Sequence, residues 1–382
     1  MATNNTLTGL IPTLYEAMNR VSRELVGFIP ACRRSANAER AAVNQTVRVP
    51  IAEAGALEAI SAGATPAASG GTTVDYADVV ITNSYAAPIL WSGEEQLSVG
   101  AFGQYNEILA DQFTDGMRKL CNEIEEDLAS EAKVSASRAY GTAGTTPFGT
   151  ANELDDVAGV RRILEDNGAP QTDLQLVLGS AAMANLRGYQ SVLFKVNEAG
   201  SSDMLRNGLT DRFQGFALRN SSGISEHTEG VGSGDTVDGA HDAADTVISV
   251  SAFTAGDYLA GDVITIENHK YVVISADASD NEITIGEPGL QEALSGSETI
   301  TIASDYTPNI AMARSALVLA ARAPAAPQGG DSADDAMFIT DPMSGLTFEV
   351  RVYRQYRQVK YEVAMAWGVS GIKEEHIAIL MG

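Results

Sequence analysis

Four aspartates fall within eleven residues of this 382-residue chain: Asp235, Asp238, Asp242 and Asp245. Oxygen donors at that density suit a divalent cation. The alternating spacing and closing glutamate of a calcium loop are absent, so the stretch reads as an acidic surface loop. Two carboxylate pairs, Glu94–Glu95 and Asp155–Asp156, have the side chains of an acid–base couple. Each sits at the start of an apolar-periodic segment, where solvated acids are ordinary. His227, His241, His269 and His376 are scattered and form no HExxH, and no CxxC exists. No phosphate-binding Gly-Lys loop and no GxSxG elbow appears. The expectation is a protein that is no enzyme, with no metal site and no cofactor.

The basic run Arg351, Arg354, Arg357 and Lys360 is interleaved with Tyr353, Tyr356 and Tyr361, a pattern that can bind single-stranded nucleic acid. On a strand these residues alternate between faces and make no single basic stripe. Pairing with carboxylates, within a sheet or between subunits, is the favoured reading. The net charge of −25 also disfavours wrapping of a polyanion. That charge is uneven: residues 228–305 hold 15 acids against one base, Lys270, which is −14 of the −25. Of the 25 basic residues 19 are Arg, and no Lys precedes Lys119; Arg suits bidentate pairing at protein interfaces. Cys32 and Cys121 give no disulfide framework, which fits a reducing compartment. The longest apolar runs, such as Ser315–Ala321, are too short to span a membrane, and the start has no secretory pattern.

These side chains must be positioned by elements legible in the periodicity. Leu14, Ala17, Met18, Val21 and Leu25 recur at helical spacing after Pro12, predicting a short amphipathic helix that packs on another subunit or partner. Thr46–Ile51, Val74–Ser84 and Ala87–Trp91 alternate as strands. Residues 52–73 between them are rich in Ala, Gly, Ser and Thr, with Leu57 and Ile60 the larger apolar groups, so the region predicts a long hairpin with a flexible tip at Gly63–Gly71. From Gln104 to Ser135, Tyr105, Ile108, Leu109, Phe113, Met117, Leu120, Ile124 and Leu128 form one helical stripe. About 30 residues rising about 1.5 Å each give a spine about 45 Å long. Helices are expected at Asn152–Asn167, from Ala181, and over Pro308–Arg322, with strands at Leu174–Leu178 and Gly215–Arg219. Short β runs at 247–250, 263–266, 271–274, 283–285 and 299–302 predict an inserted all-β module. Phe338–Thr340, Leu346–Tyr353 and Tyr361–Trp367 close the chain as strands. The fold class is α+β.

This ordered set resembles the major capsid (coat) proteins of tailed phages, in particular the short-tailed-phage branch with an inserted β-barrel domain. The resemblance is carried by Asn4–Ala17 (NNTLTGLIPTLYEA), Ser22–Pro30 (SRELVGFIP), Asn44–Pro50 (NQTVRVP), Ile89–Glu95 (ILWSGEE), Ile108–Phe113, Asn122–Glu125, Asp211–Phe216 (DRFQGF) and Arg351–Tyr356 (RVYRQY). It is strongest before residue 130 and weakest across 229–305.

The resemblance implies the capsid shell fold in named parts. They are an N-terminal arm (1–42), an extended β-hairpin loop (43–75), and a peripheral domain (76–148 and 344–358) with spine helix 104–135. An axial domain (149–227, 306–343 and 359–382) and a β insertion domain (228–305) complete them. It implies self-assembly with a scaffolding protein into an icosahedral procapsid of hexamers and pentamers. That shell would join a portal protein and expand on packaging double-stranded DNA, without sequence-specific binding and with no membrane. The setting would be the virion capsid, assembled in the host bacterial cytoplasm. The candidate inter-subunit contacts are Arg20, Arg23, Arg48, Leu57, Ile60, Arg351, Arg354 and Arg357. With no Lys in residues 1–118, the hairpin has no nucleophile for the Lys–Asn cross-links of some relatives, so non-covalent contacts are expected. An encapsulin-like, non-viral shell of the same fold is the alternative.

Overall fold

The stripe at 104–135 becomes the spine helix Tyr105–Val134 of the computed structural model, with Leu109, Phe113, Met117, Leu120, Ile124 and Leu128 all buried along it. The structure describes residues 14–18, 20, 26–52, 74–100, 105–151, 154–189, 212–251, 253–341 and 344–382. Further helices lie at Gly93–Gly100, Asp155–Asp166 and Ser180–Tyr189. The strands, in chain order, are β1 Arg33–Ala41, β2 Thr46–Ala52, β3 Val74–Val80, β4 Asn83–Ser92, β5 Arg138–Tyr140, β6 Leu174–Leu178, β7 Arg212–Phe213, β8 Phe216–Asn220, β9 Val247–Ser249 and β10 Val263–Ile266. They continue with β11 His269–Asp277, β12 Glu282–Ile285, β13 Ile300–Ile302, β14 Pro308–Ala313, β15 Leu317–Pro324, β16 Asp335–Thr340, β17 Thr347–Gln355, β18 Gln358–Gly371 and β19 Ile377–Met381. The fold is α+β, as the periodicity predicts.

One six-stranded sheet runs β1-β15-β18-β17-β16, with β4 on the other side of β18. The spine helix lies across this sheet: Phe113 packs edge-on against Tyr361 of β18, ring centroids 5.7 Å apart. Two indoles fasten it, Trp91 Nε1 donating to Gln112 at 2.8 Å and Trp367 Nε1 to Asp127 at 2.7 Å. The helix comes close to β4 at Gly116, where an added Cβ would stand 3.1 Å from the Ala87 Cβ.

A second sheet of eleven strands runs β13-β10-β11-β5-β19-β14-β6-β8-β7, extended by β12 and β9. Its β6–β8 end is covered by the helices Asp155–Asp166 and Ser180–Tyr189, which share a core cluster with it. Its other end is the acidic module, whose cluster includes Ile248, Ile264, Val273, Ile283, Ile285 and Ile300. Val263 and Val272, on the opposite face of β10 and β11, instead join the main core. The module thus has a core of its own but also closes a wall of the body, and Tyr271 of β11 pairs with Arg138 of β5.

Four expectations need correction. Pro308–Arg322 is two strands, β14 and β15, not a helix; nearly every residue in both is buried. A strand covered on both faces presents a continuous apolar run, which periodicity does not separate from a helix. The hairpin does not end at residue 75: β3 continues to Val80, paired with Thr46. The division between peripheral residues 344–358 and axial residues 359–382 cuts the β17–β18 hairpin, whose register runs from Glu349↔Ala364 to Gln355↔Gln358. β18 pairs with β15, β17 and β4 and so belongs to the sheet under the spine helix. Finally, Leu14, Ala17 and Met18 of the N-terminal helix are buried in this chain's own main core, not held for a partner.

Candidate assembly surfaces

The N-terminal segment is fastened by a buried carboxylate in the middle of the spine helix. Glu125, 1% exposed, accepts from the backbone N–H of Phe28 at 2.9 Å and of Ile29 at 2.8 Å, and from the Ser221 hydroxyl at 2.7 Å. Burial pushes its carboxyl above the usual range, and the hydrogen bonds from this segment and Ser221 oppose that shift. Close backbone approach makes the junction possible: a Cβ on Gly27 would stand 2.6 Å from the Ser221 Cβ, and one on Gly223 2.8 Å from the Glu125 carbonyl carbon. Cys32 and Cys121 are buried and free, and burial pushes both thiols up to about 12.

The β2–β3 hairpin is a separate two-stranded ladder. One of its faces is buried: Val49 and Val79, with Ile81 beyond the base, cluster with Ala41, Val318, Ala320 and Ala366 on the sheet. On the opposite face Tyr76 is 55% exposed, and Arg48 and Asp78 form a solvent-facing cross-strand pair at 3.4 Å. The tip, with Leu57, Ile60 and Gly63–Gly71, lies outside the described residues. So does Arg23. Arg20 pairs with Asp111 of the spine helix at 2.9 Å and with Glu16 at 3.1 Å, both in solvent.

A groove runs between β4 and the outer side of the spine helix, lined by Tyr85, Leu90, Ile108, Asp111, Asp115 and Lys119 among others. Tyr85 and Leu90 are each half exposed. Past the end of β4, Ser92 and Glu95 form a capping box on helix Gly93–Gly100: Glu95 accepts from the Ser92 N–H and hydroxyl, and its own N–H donates back at 3.2 Å. Those bonds hold the Glu95 carboxyl below its usual range. Asp156 accepts from the Phe148 N–H at 2.7 Å. Both acid pairs therefore include a residue that organises backbone.

Three of the four cations of the basic run on β17 and β18 pair with carboxylates. Arg351, 8% exposed, pairs with Asp331 and with Glu349 at 2.8 Å. Glu349, 1% exposed, also receives Arg40 of β1 at 2.6 Å. Arg354 pairs with Asp334 and Lys360 with Glu362. Arg357 occupies the turn at φ +55° and lies over the Tyr356 ring at 5.8 Å. No continuous basic face results from these four. Two carboxylates of the Asp-rich loop are held locally: Asp235 accepts from the Tyr258 hydroxyl, and Asp245 from the Asp242 N–H. Among the described residues no three His, Cys, Asp or Glu side chains converge as a metal site, and no helix is long and apolar enough to cross a membrane.

No family model matches this chain, and no curated protein does. It is similar to several solved structures. One, from Mycobacterium phage Che8, has a TM-score of 0.46 at 12% identity, covering 94% of this chain and 91% of that one. The mature capsid of bacteriophage PhiM1 gives 0.44 at 9% identity over 93% and 87%. A virus-like particle from Pyrococcus furiosus gives 0.42 at 10% identity over 96% and 97%.

Two groups carry no signal in the sequence that marks their role. Glu125 lies in a helix with many solvated acids and differs from them only in sharing the stripe side with Ile124 and Leu128. His227 falls at the very edge of the inserted module, a position with no local motif; its partners, Lys133 and Asp262, are remote in sequence.

Proposed function

We propose that this chain is the repeating subunit of a tailed-phage capsid: a major capsid protein that forms hexamers and pentamers of an icosahedral shell. The β2–β3 hairpin carries the reading. A lone two-stranded ribbon is at best marginally stable in water. Here one face is packed on the body through Val49 and Val79, while Arg48, Tyr76 and Asp78 on the other face meet solvent. Such a projection gains its missing contacts from a second copy. The groove between β4 and the spine helix offers a seat of fitting chemistry, since the half-exposed Tyr85 and Leu90 give it an apolar surface and Asp111 and Asp115 give it an acidic rim. Arg20, Arg23, Leu57, Ile60, Arg354 and Arg357 remain candidate contacts in the same scheme. Arg351 is better placed as an internal strut, because Asp331 and Glu349 already enclose it.

Many weak contacts of this kind give a closed shell large total stability while wrong placements still dissolve. Net charge of −25 and the neutralised basic run support enclosure of double-stranded DNA without sequence-specific binding. A scaffolding protein, a portal protein, expansion on packaging and assembly in the bacterial cytoplasm belong to the same proposal. The deciding experiment is electron microscopy of the purified chain, alone and co-expressed with its scaffolding partner. Closed particles are expected, and deletion of residues 46–80 should leave unassembled subunits. A protein that stays monomeric under every condition overturns the reading.

A further inference from the structure

The two chain crossings at the base of the acidic module meet at one point. His227 enters it and Tyr306 leaves it, and they form an antiparallel bridge, His227 N–H to Tyr306 carbonyl at 2.8 Å and the reverse at 3.2 Å. The His227 ring, 7% exposed, is bonded on both sides. Lys133, in the last turn of the spine helix, stands 3.1 Å from Nδ1, and Asp262 of the module stands 2.8 Å from Nε2. An ammonium has donors only, so Nδ1 must accept and Nε2 must carry the proton it gives to Asp262. With Nδ1 accepting and Nε2 donating, the imidazole bridges a cation on the body and an anion on the module.

We infer that Lys133–His227–Asp262 is a proton-sensitive latch. It ties the module to the spine helix while the imidazole is neutral and lets go of the helix when the imidazole gains a proton. The inference concerns the single chain and stands whether or not the chain builds a shell.

The chemistry runs one way. A proton on Nδ1 turns the acceptor into a donor and sets two cations face to face at the Lys133 contact, so the hydrogen bond is lost and the ammonium must move off. Asp262 stays satisfied, because it also accepts from the Leu259 N–H at 2.6 Å and the Gly230 N–H at 3.3 Å and still pairs with the imidazolium. The module side of the latch therefore holds and the helix side opens. The charged and titratable groups that face the ring are Lys133 from the helix, Asp262 from the module and Tyr306 from the returning strand, whose ring lies edge-on with centroids 5.3 Å away. Burial raises the Tyr306 phenol well above its ordinary value, so it does not exchange a proton in the range where imidazoles do. Burial also lowers the Lys133 ammonium, while Asp262 works against that shift.

Hydrogen exchange of the full chain tests this. Amides at 227–232 and 130–135 are followed at about pH 7.5 and about pH 5.5, corrected for intrinsic exchange. The wild type should be protected at the higher pH and exchange on the order of ten-fold faster at the lower. Lys133→Met keeps the aliphatic stem and removes the donor; it should exchange at the faster level at both values. Wild-type protection equal at both pH values, or a Lys133→Met chain that keeps the wild-type pH response, overturns the latch. Should that variant fail to fold, ring ¹⁵N spectra of the wild type decide. Nε2–H with an accepting Nδ1 at the higher pH supports the assignment, and the opposite tautomer refutes it.

Discussion

Gly368 and Val80 touch backbone to backbone: a Cβ on Gly368 would stand 1.9 Å from the Val80 carbonyl oxygen. One residue away, the Thr82 N–H donates to the Trp367 carbonyl at 3.1 Å. The hairpin base thus crosses β18 at a residue whose side chain is only hydrogen.

Gly368→Ala should therefore act on the hairpin more than on the rest of the fold. The inserted methyl must push β3 off β18, an overpacking cost of about 1–3 kcal/mol. Urea unfolding should show a lowered midpoint, and amides of β2 and β3 should lose protection first. Particle yield should drop further than that loss of stability explains. Gly188→Ala, where an added Cβ meets nothing within 4 Å, is the control and should assemble normally.

Glu125→Ala removes the only acceptor shared by Phe28, Ile29 and Ser221, stranding three buried donors. The expected loss is about 3–5 kcal/mol. Its pH dependence has a definite sign. Burial raises the folded carboxyl above the reference 4.5, so the protonated form is the one folding favours. The group's contribution is fully present below the ordinary carboxylate range and is partly lost as pH rises through the folded value. The stability gap between wild type and Glu125→Ala should accordingly be wider at about pH 4 than at about pH 7. Chemical denaturation at both values checks it; a gap that widens with pH would mean that the three donors outweigh burial.

How much of this was legible without coordinates depends on the range of the interaction involved. The spine helix and β6 were found within a residue or so, because a one-sided 3.6-residue stripe and a short Val/Leu run are local signals. β14 and β15 were misread because Ile310–Ala313 and Leu317–Ala321 are buried on both faces, which erases the period that tells strand from helix. The Arg351 pairing was foreseen from strand alternation, yet its partner Asp331 is twenty residues away across a turn. Glu125 and His227 were missed for the same reason: what marks them is a set of partners brought together by topology alone.

The Arg40–Glu349–Arg351 strut predicts a sharp contrast along one strand. Glu349 is buried between two guanidinium groups, 2.6 Å from one and 2.8 Å from the other. Glu349→Ala leaves both cations without their buried partner and should cost about 3–5 kcal/mol. Arg354, half exposed beside Asp334, is a surface pair; Arg354→Ala should cost under about 1 kcal/mol. Thermal unfolding of the two variants measures the contrast. If the chain builds the proposed DNA-filled shell, Arg354→Ala particles should also retain DNA, since this side chain is paired with a carboxylate; assembled particles that lose their DNA would restore the run as a nucleic-acid contact.

The module offers the last test, because it is both a domain and a wall. Ile248, Ile264, Val273, Ile283 and Ile300 are enough of a core for residues 228–305 to fold when excised. Val263 and Val272 belong to the other core, and excision bares them. Fully burying a valine is worth about 1.5–3 kcal/mol, so the lone module should unfold cooperatively but bind an apolar dye through this face. Replacing Val263 and Val272 together with Thr should abolish that dye signal in the excised module. The same pair of changes should destabilise the full chain by about 2–4 kcal/mol, since hydroxyls would then be buried without partners. A non-cooperative transition in the excised module would show that the body, through β5 and the spine helix, is needed to complete its fold.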